Sequence, residues 1–184
     1  GWLRRRLWLV AGGALVVACG AAIFWPFAMP GAALLLVAGL GLIGQWVRRF
    51  GWRQLLADGV SASLLSAVCG LLLTLMAGVA HGAGMMAGRP GLSAWGAGFL
   101  LPLVSGALSQ LLPVWRWPGP IIPARAVMRQ KLAASGRWRA LFFFSAAIAF
   151  LSEMNVLAAA FLGLAMALFA FGLLQAVRVL RSTR

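Results

Sequence analysis

Apolar residues run through this chain in blocks too long for the helices or strands of a soluble domain. Four stretches carry no Asp, Lys or Arg: 7–47 (41 residues), 59–88 (30), 90–115 (26) and 140–177 (38, interrupted only by Glu153). A helix rises about 1.5 Å per residue and needs roughly 20 apolar residues to cross the hydrocarbon core of a bilayer. The two longest stretches therefore read as hairpins of two spans each, and the middle pair supplies two more. The pattern predicts an all-α, polytopic integral membrane protein, a single bundle over 1–184. Its six transmembrane helices are expected at about 7–25, 30–47, 60–81, 97–115, 138–154 and 157–177, in three hairpins.

Turn chemistry divides the hairpins. Pro26 and Pro30 break the first apolar block, stopping one helix and starting the next. The second hairpin has the longest outer loop, 82–96, which is rich in Gly and contains Arg89-Pro90-Gly91. The main inner loop, 117–137, opens with Pro118, Pro120 and Pro123. Its remainder, 125–135, is expected to lie on the membrane surface as a short basic amphipathic helix, with Val127, Met128 and Leu132 dipping into the lipid.

Charge gives the bundle a direction. The formal net charge is +14, which by itself would suit nucleic acid, but the cations sit in clusters at the ends of the apolar blocks. With the N-terminus inside, fifteen of the sixteen Lys and Arg fall on one face, leaving Arg89 alone on the other. By the positive-inside rule both termini are cytoplasmic. The anionic lipids of the inner leaflet are the partner the charge calls for, and no nucleic-acid partner is expected. Trp2, Trp8, Trp46, Trp52, Trp115, Trp117 and Trp138 fall near the inner boundary, Trp25 and Trp95 near the outer one. Indole belongs there, with its ring in lipid and its N–H in water. Fifteen Arg against one Lys points to a high-GC bacterial genome, hence to a bacterial cytoplasmic membrane.

Composition then removes most chemistry. Asp58 and Glu153 are the only acidic residues and His81 the only histidine, so paired-carboxylate hydrolysis and His-cluster metal sites are excluded. Cys19 and Cys69 both fall inside expected spans and make no disulfide framework. Arg4–Arg6 followed by Val16-Val17-Ala18-Cys19 resembles a secretory or lipoprotein signal, but the segment is read as a retained first helix.

A few residues remain as candidates. Glu153 lies fourteen residues after Arg139, about 21 Å along a helix; it is either a proton or ion site at membrane depth or a carboxylate in the turn before the last helix. His81 ends the third span on the outer side, and Met76, Met85, Met86 and Met154 gather toward the same face. Soft thioethers and an imidazole suit copper, or an axial place on a haem; the competing reading is packing methionine beside an interfacial histidine. Asp58 reads as the N-cap of the third helix. Gln110, with Ser105 and Ser109, reads as interhelical hydrogen bonding, and Pro102 and Pro113 as kinks that open a groove for a partner or a lipid. Small residues recur at helical spacing in Ala62/Ser66/Gly70, Ser105/Ser109 and Ala159/Gly163/Ala167, the pattern of closely packed membrane helices.

The stretch 98–114, Gly-Phe-Leu-Leu-Pro-Leu-Val-Ser-Gly-Ala-Leu-Ser-Gln-Leu-Leu-Pro-Val, resembles a helix of membrane proteins related to the haem-copper oxidase catalytic subunit. A Gly-Phe start and a Leu-Leu-Pro end occur there too. The likeness covers 17 of 184 residues. That family works through haem- and copper-binding histidines, and His81 lies outside the matching stretch, so the resemblance implies a degenerate, non-catalytic relative. The favoured expectation is a non-catalytic membrane subunit or accessory protein packed against other subunits, in respiratory or other electron-transfer machinery, with room for a bound lipid, quinone or pigment. A small-solute or ion transporter or channel comes second. An outward-facing protein handling copper or haem comes third.

Overall fold

A computed structural model describes residues 2–23, 26, 28–119 and 122–182. Trp25 and Phe27 of the expected first turn lie outside the described residues. Among those described there is no strand. The α-helices are α1 (Trp2–Ile23), α2 (Ala28–Phe50), α3 (Trp52–Ala57), α4 (Gly59–Gly82), α5 (Gly88–Trp95), α6 (Leu101–Arg116), α7 (Pro123–Ala133), α8 (Gly136–Leu151) and α9 (Asn155–Ser182).

Four helical runs are long and apolar enough to cross a membrane: α2, α4, the continuous run Gly88–Arg116, and Asn155–Arg178 of α9. Of the other two expected spans, α1 runs 22 residues, Trp2–Ile23, and α8 is the shorter. Helix α8 has 16 residues, about 24 Å of rise against a hydrocarbon core of about 30 Å.

The second hairpin differs from expectation. Residues 88–95, read as part of a Gly-rich loop, are helical. Pro90 sits in the first turn of α5, where its missing N–H has no intrahelical partner to lose. A π turn, Gly96–Leu100, joins α5 to α6. Pro102 explains it: without an N–H at 102, the Gly98 carbonyl loses its usual partner and the helix widens, with Leu101 N–H donating to Gly96 O. The freed Gly98 carbonyl faces Gly70 of α4, and a Cβ at Gly70 would overlap it. Two backbones therefore meet where α4 crosses the π turn, a contact that only glycine permits.

Helix α4 is the hub and packs on α2, α3, α5, α6 and α8. Helix α1 leans on α2, where Gly31 meets the α1 backbone at Gly13 and Val17. On the opposite flank α9 packs on α8 and α7. A second glycine pair, Gly59 and Gly136, brings the starts of α4 and α8 together.

Helix α7 forms close to its expected range, but two of the three residues expected to dip into lipid are buried in the protein instead. Met128 and Leu132 are buried against Leu112, Trp117, Leu173 and Ala176, while Val127 is exposed. Gly172 leaves the α9 surface bare opposite the backbone of Lys131 and Leu132. The helix drops into that hollow and closes one end of the bundle.

Candidate functional site

Among the described residues, one cation is buried in the interior of the bundle. Arg139, in the first turns of α8, is fully buried at 0% exposure. It shares the inward face of α8 with Phe143, Ala146 and Ala147, all buried, at helical spacings of four, seven and eight. Its Nη2 donates to Ser109 Oγ of α6 at 3.3 Å and lies 3.5 Å from Ser63 Oγ of α4. Its guanidinium carbon stands 5.0 Å from the centre of the Phe169 ring of α9, within reach of a cation–π attraction. Four helices thus converge on one side chain.

The two serines are prepared to accept. Ser63 donates its own hydroxyl to Gly59 O at 2.9 Å and Ser109 donates to Ser105 O at 2.7 Å, which leaves their oxygen lone pairs for the guanidinium. Ser105 in turn donates to Pro102 O. The guanidinium is nonetheless under-satisfied: Nε and Nη1 have no hydrogen-bond partner. Among the described residues no carboxylate pairs with it. Asp58 is engaged at its Oδ2 by Ser61 N–H at 3.0 Å and Ser61 Oγ at 2.7 Å, and Glu153 lies at the far end of α8. Burying an ion costs several kcal/mol after relaxation, so an interior cation without a carboxylate marks a site.

Close to this cluster, at the α7 end of the bundle, lies a polar cavity of about 560 Å³. Asp58, Gln110, Arg125, Arg129 and Gln130 line it. Its wall includes Gly59, the carbonyl that holds Ser63, and Gln110, the neighbour of Ser109. Gln110, expected to bridge helices, is thus half-buried at a polar hollow.

The outer candidates are more dispersed. His81 Nδ1 donates to the Met86 carbonyl at 2.9 Å, and its ring packs on Gly88. It borders an apolar cavity of about 420 Å³ with Thr74 and Trp95. The tautomer that bonds Met86 leaves Nε2 as the nitrogen with a free lone pair. Of the expected methionine set, Met86 approaches His81 through its backbone; Met76, Met85 and Met154 carry exposed side chains. Among the described residues no group of three or more His, Cys, Asp or Glu is placed to hold a metal ion.

Glu153 lies in the α8–α9 turn, exposed, with φ 58°. Glu153 N–H donates to Phe150 O and Met154 N–H to Ala149 O, the paired bonds of a Schellman helix end, in which the left-handed position normally belongs to Gly. Asp58 caps α4 as its sequence context implied. Arg139 was the residue that sequence reasoning missed, because it was counted with Arg137 among the boundary cations. The apolar run that follows, 140–151, carries no charged position to mark which face of α8 turns inward.

Taken together these features define a helical bundle with four helical runs long and apolar enough to cross a membrane, an interior cation and a polar cavity at one end. Comparison with known protein families, curated proteins and solved structures finds no match to this chain.

Proposed function

We propose that this chain is a non-catalytic subunit or accessory protein of a larger membrane assembly. In this reading it crosses a bacterial cytoplasmic membrane six times, with both termini inside, and α1 and α8 complete the set of spans. One observation carries the assembly reading. Of the three small-residue stripes, two are used within the bundle: Ala62 and Gly70 are buried, Ser66 donates to Ala140 O, and Ser105 and Ser109 are buried. The third, Ala159/Gly163/Ala167 on α9, is exposed, and nothing stands within 4 Å of where a Gly163 Cβ would be. Lipid gains nothing from a smooth small-residue face, whereas a second helix gains close backbone packing. Electron-transfer machinery is the assembly to which the likeness of 98–114 points.

Photo-crosslinking from that face tests the reading. With Cys19→Ala and Cys69→Ala as background, a benzophenone placed at Gly163→Cys in native membranes should capture one distinct membrane protein. Capture of lipid alone, or of a second copy of this chain, would contradict a hetero-assembly.

Arg139 favours a second reading, a small-anion transporter or channel. A buried guanidinium with free donors beside a polar cavity lined by Arg125 and Arg129 is the start of an anion path. Vesicle flux of a small anion that vanishes in Arg139→Met but persists in Arg48→Gln, an exposed cation outside the cavity, would favour it over the subunit reading.

A further inference from the structure

A groove of about 690 Å³ lies between α3, α4 and α8, apart from the Arg139 cluster. Its walls are largely apolar, with Leu56 from α3, Leu65 and Cys69 from α4, and Leu141 and Phe144 from α8. Ser66 also lines it, but its hydroxyl is turned to Ala140 O at 3.0 Å, so this part of the wall offers no spare donor. Two cations border the same groove: Arg53 from α3 and Arg137 from the first turn of α8. The contact of Gly59 with Gly136 ties the starts of α4 and α8 together and so sets both arginines at one end. Both are exposed. The Arg137 guanidinium stands 5.8 Å from the centre of the Trp138 ring, and Trp138 borders the groove as well. The nearest carboxylate in sequence, Asp58, is engaged by Ser61. The result is an apolar trough with a cationic, indole-flanked mouth.

The complement of that shape is a molecule with an anionic head and a hydrocarbon tail. We propose that the groove seats an anionic phospholipid, its phosphate between Arg53 and Arg137 and one acyl chain along α4 from Ala62 toward Cys69. That path takes seven steps along the helix, about 10 Å of rise. The volume falls within the range of small-molecule sites, about 300–1,000 Å³. Arginine suits the phosphate because its planar fork offers two parallel donors. The site depends on the membrane placement of the bundle and is independent of whether the chain joins a larger assembly.

The test is native mass spectrometry of the purified full chain in a non-ionic detergent, titrated with phosphatidylglycerol and with phosphatidylcholine of the same acyl chains. The wild type should prefer phosphatidylglycerol by about tenfold or more, as two surface cations acting on an anionic headgroup allow. Arg53→Gln/Arg137→Gln should abolish that preference. Arg125→Gln/Arg129→Gln removes the same charge from the neighbouring polar cavity and should keep it. Cys69→Trp leaves both arginines in place, fills the trough, and should weaken binding of both lipids. Unfolding midpoints confirm that each variant is folded; an arginine variant that is not is replaced by the matching Met substitution, and Cys69→Trp by Cys69→Leu. Equal loss of preference in the two double variants would show diffuse surface attraction and overturn the site. So would equal affinity for the two lipids, or displacement of phosphatidylglycerol by inorganic phosphate at equal concentration. A co-purifying protein that fills the groove in place of lipid would overturn it as well.

Discussion

Arg139 Nη2 of α8 lies 3.3 Å from Ser109 Oγ of α6, and this bond ties two helices at a buried charge with no ion-pair partner among the described residues. The guanidinium is held by hydroxyls and an aromatic face, while Nε and Nη1 stay unbonded. Such an arrangement holds helices in register at a cost in stability.

Replacing the cation and replacing its acceptor should therefore act in opposite directions. Arg139→Met removes the desolvated charge while filling similar volume, and is expected to leave stability unchanged or raise it by about 1–4 kcal/mol. Ser109→Ala removes an acceptor and leaves the charge in place, and should destabilise by about 1–3 kcal/mol. Thermal unfolding in detergent reads both. A strongly destabilised Arg139→Met would mean that the guanidinium is better compensated than its two serines and one ring allow.

The glycines divide into those with a neighbour and those without. Gly70→Ala drives a methyl into the Gly98 carbonyl and should cost about 1–3 kcal/mol or more, since neither backbone can yield without moving a helix. Gly78 and Gly44, inside α4 and α2, have nothing within 4 Å. There Ala should stabilise by roughly 0.5–1 kcal/mol through helix propensity alone. Equal effects at Gly70 and Gly78 would deny the close crossing of α4 and the π turn.

Glu153 holds a left-handed conformation at the end of α8. Gly is strain-free there, so Glu153→Gly should stabilise by up to about 1–2 kcal/mol. Glu153→Gln keeps the strain and removes the charge; it should leave both stability and any vesicle flux unchanged, because the carboxylate is exposed in the turn. Loss of a proton- or ion-dependent flux in Glu153→Gln would restore it as a transport site.

Much of this was legible in the chain. Long uncharged blocks and paired prolines are enough to define hairpins, and the expected helix 125–135 lies two residues from α7, Pro123–Ala133. Asp58-Gly59-Val60-Ser61 announces its own cap. Helix α5 was hidden because Gly-Arg-Pro-Gly signals a turn and equally well the first turn of a helix, a choice made by packing on α4 and α8. The burial of Met128 and Leu132 depends on the hollow at Gly172, forty residues away in sequence from Leu132 and invisible to local pattern. Arg139 was obscured by its neighbours: Arg137 and Trp138 are exposed at a boundary, and one residue further the same helix turns inward. In an apolar helix, periodicity no longer separates the inner face from the outer one.

The assembly reading is tested most directly by native mass spectrometry of the protein extracted gently from its own membrane, comparing wild type with Gly163→Leu. The expected result is a defined larger complex containing other membrane subunits for the wild type, lost in Gly163→Leu although the isolated chain keeps its unfolding midpoint. A wild-type chain that leaves the membrane alone, or only as copies of itself, would contradict that reading and shift the weight to Arg139 and an anion path.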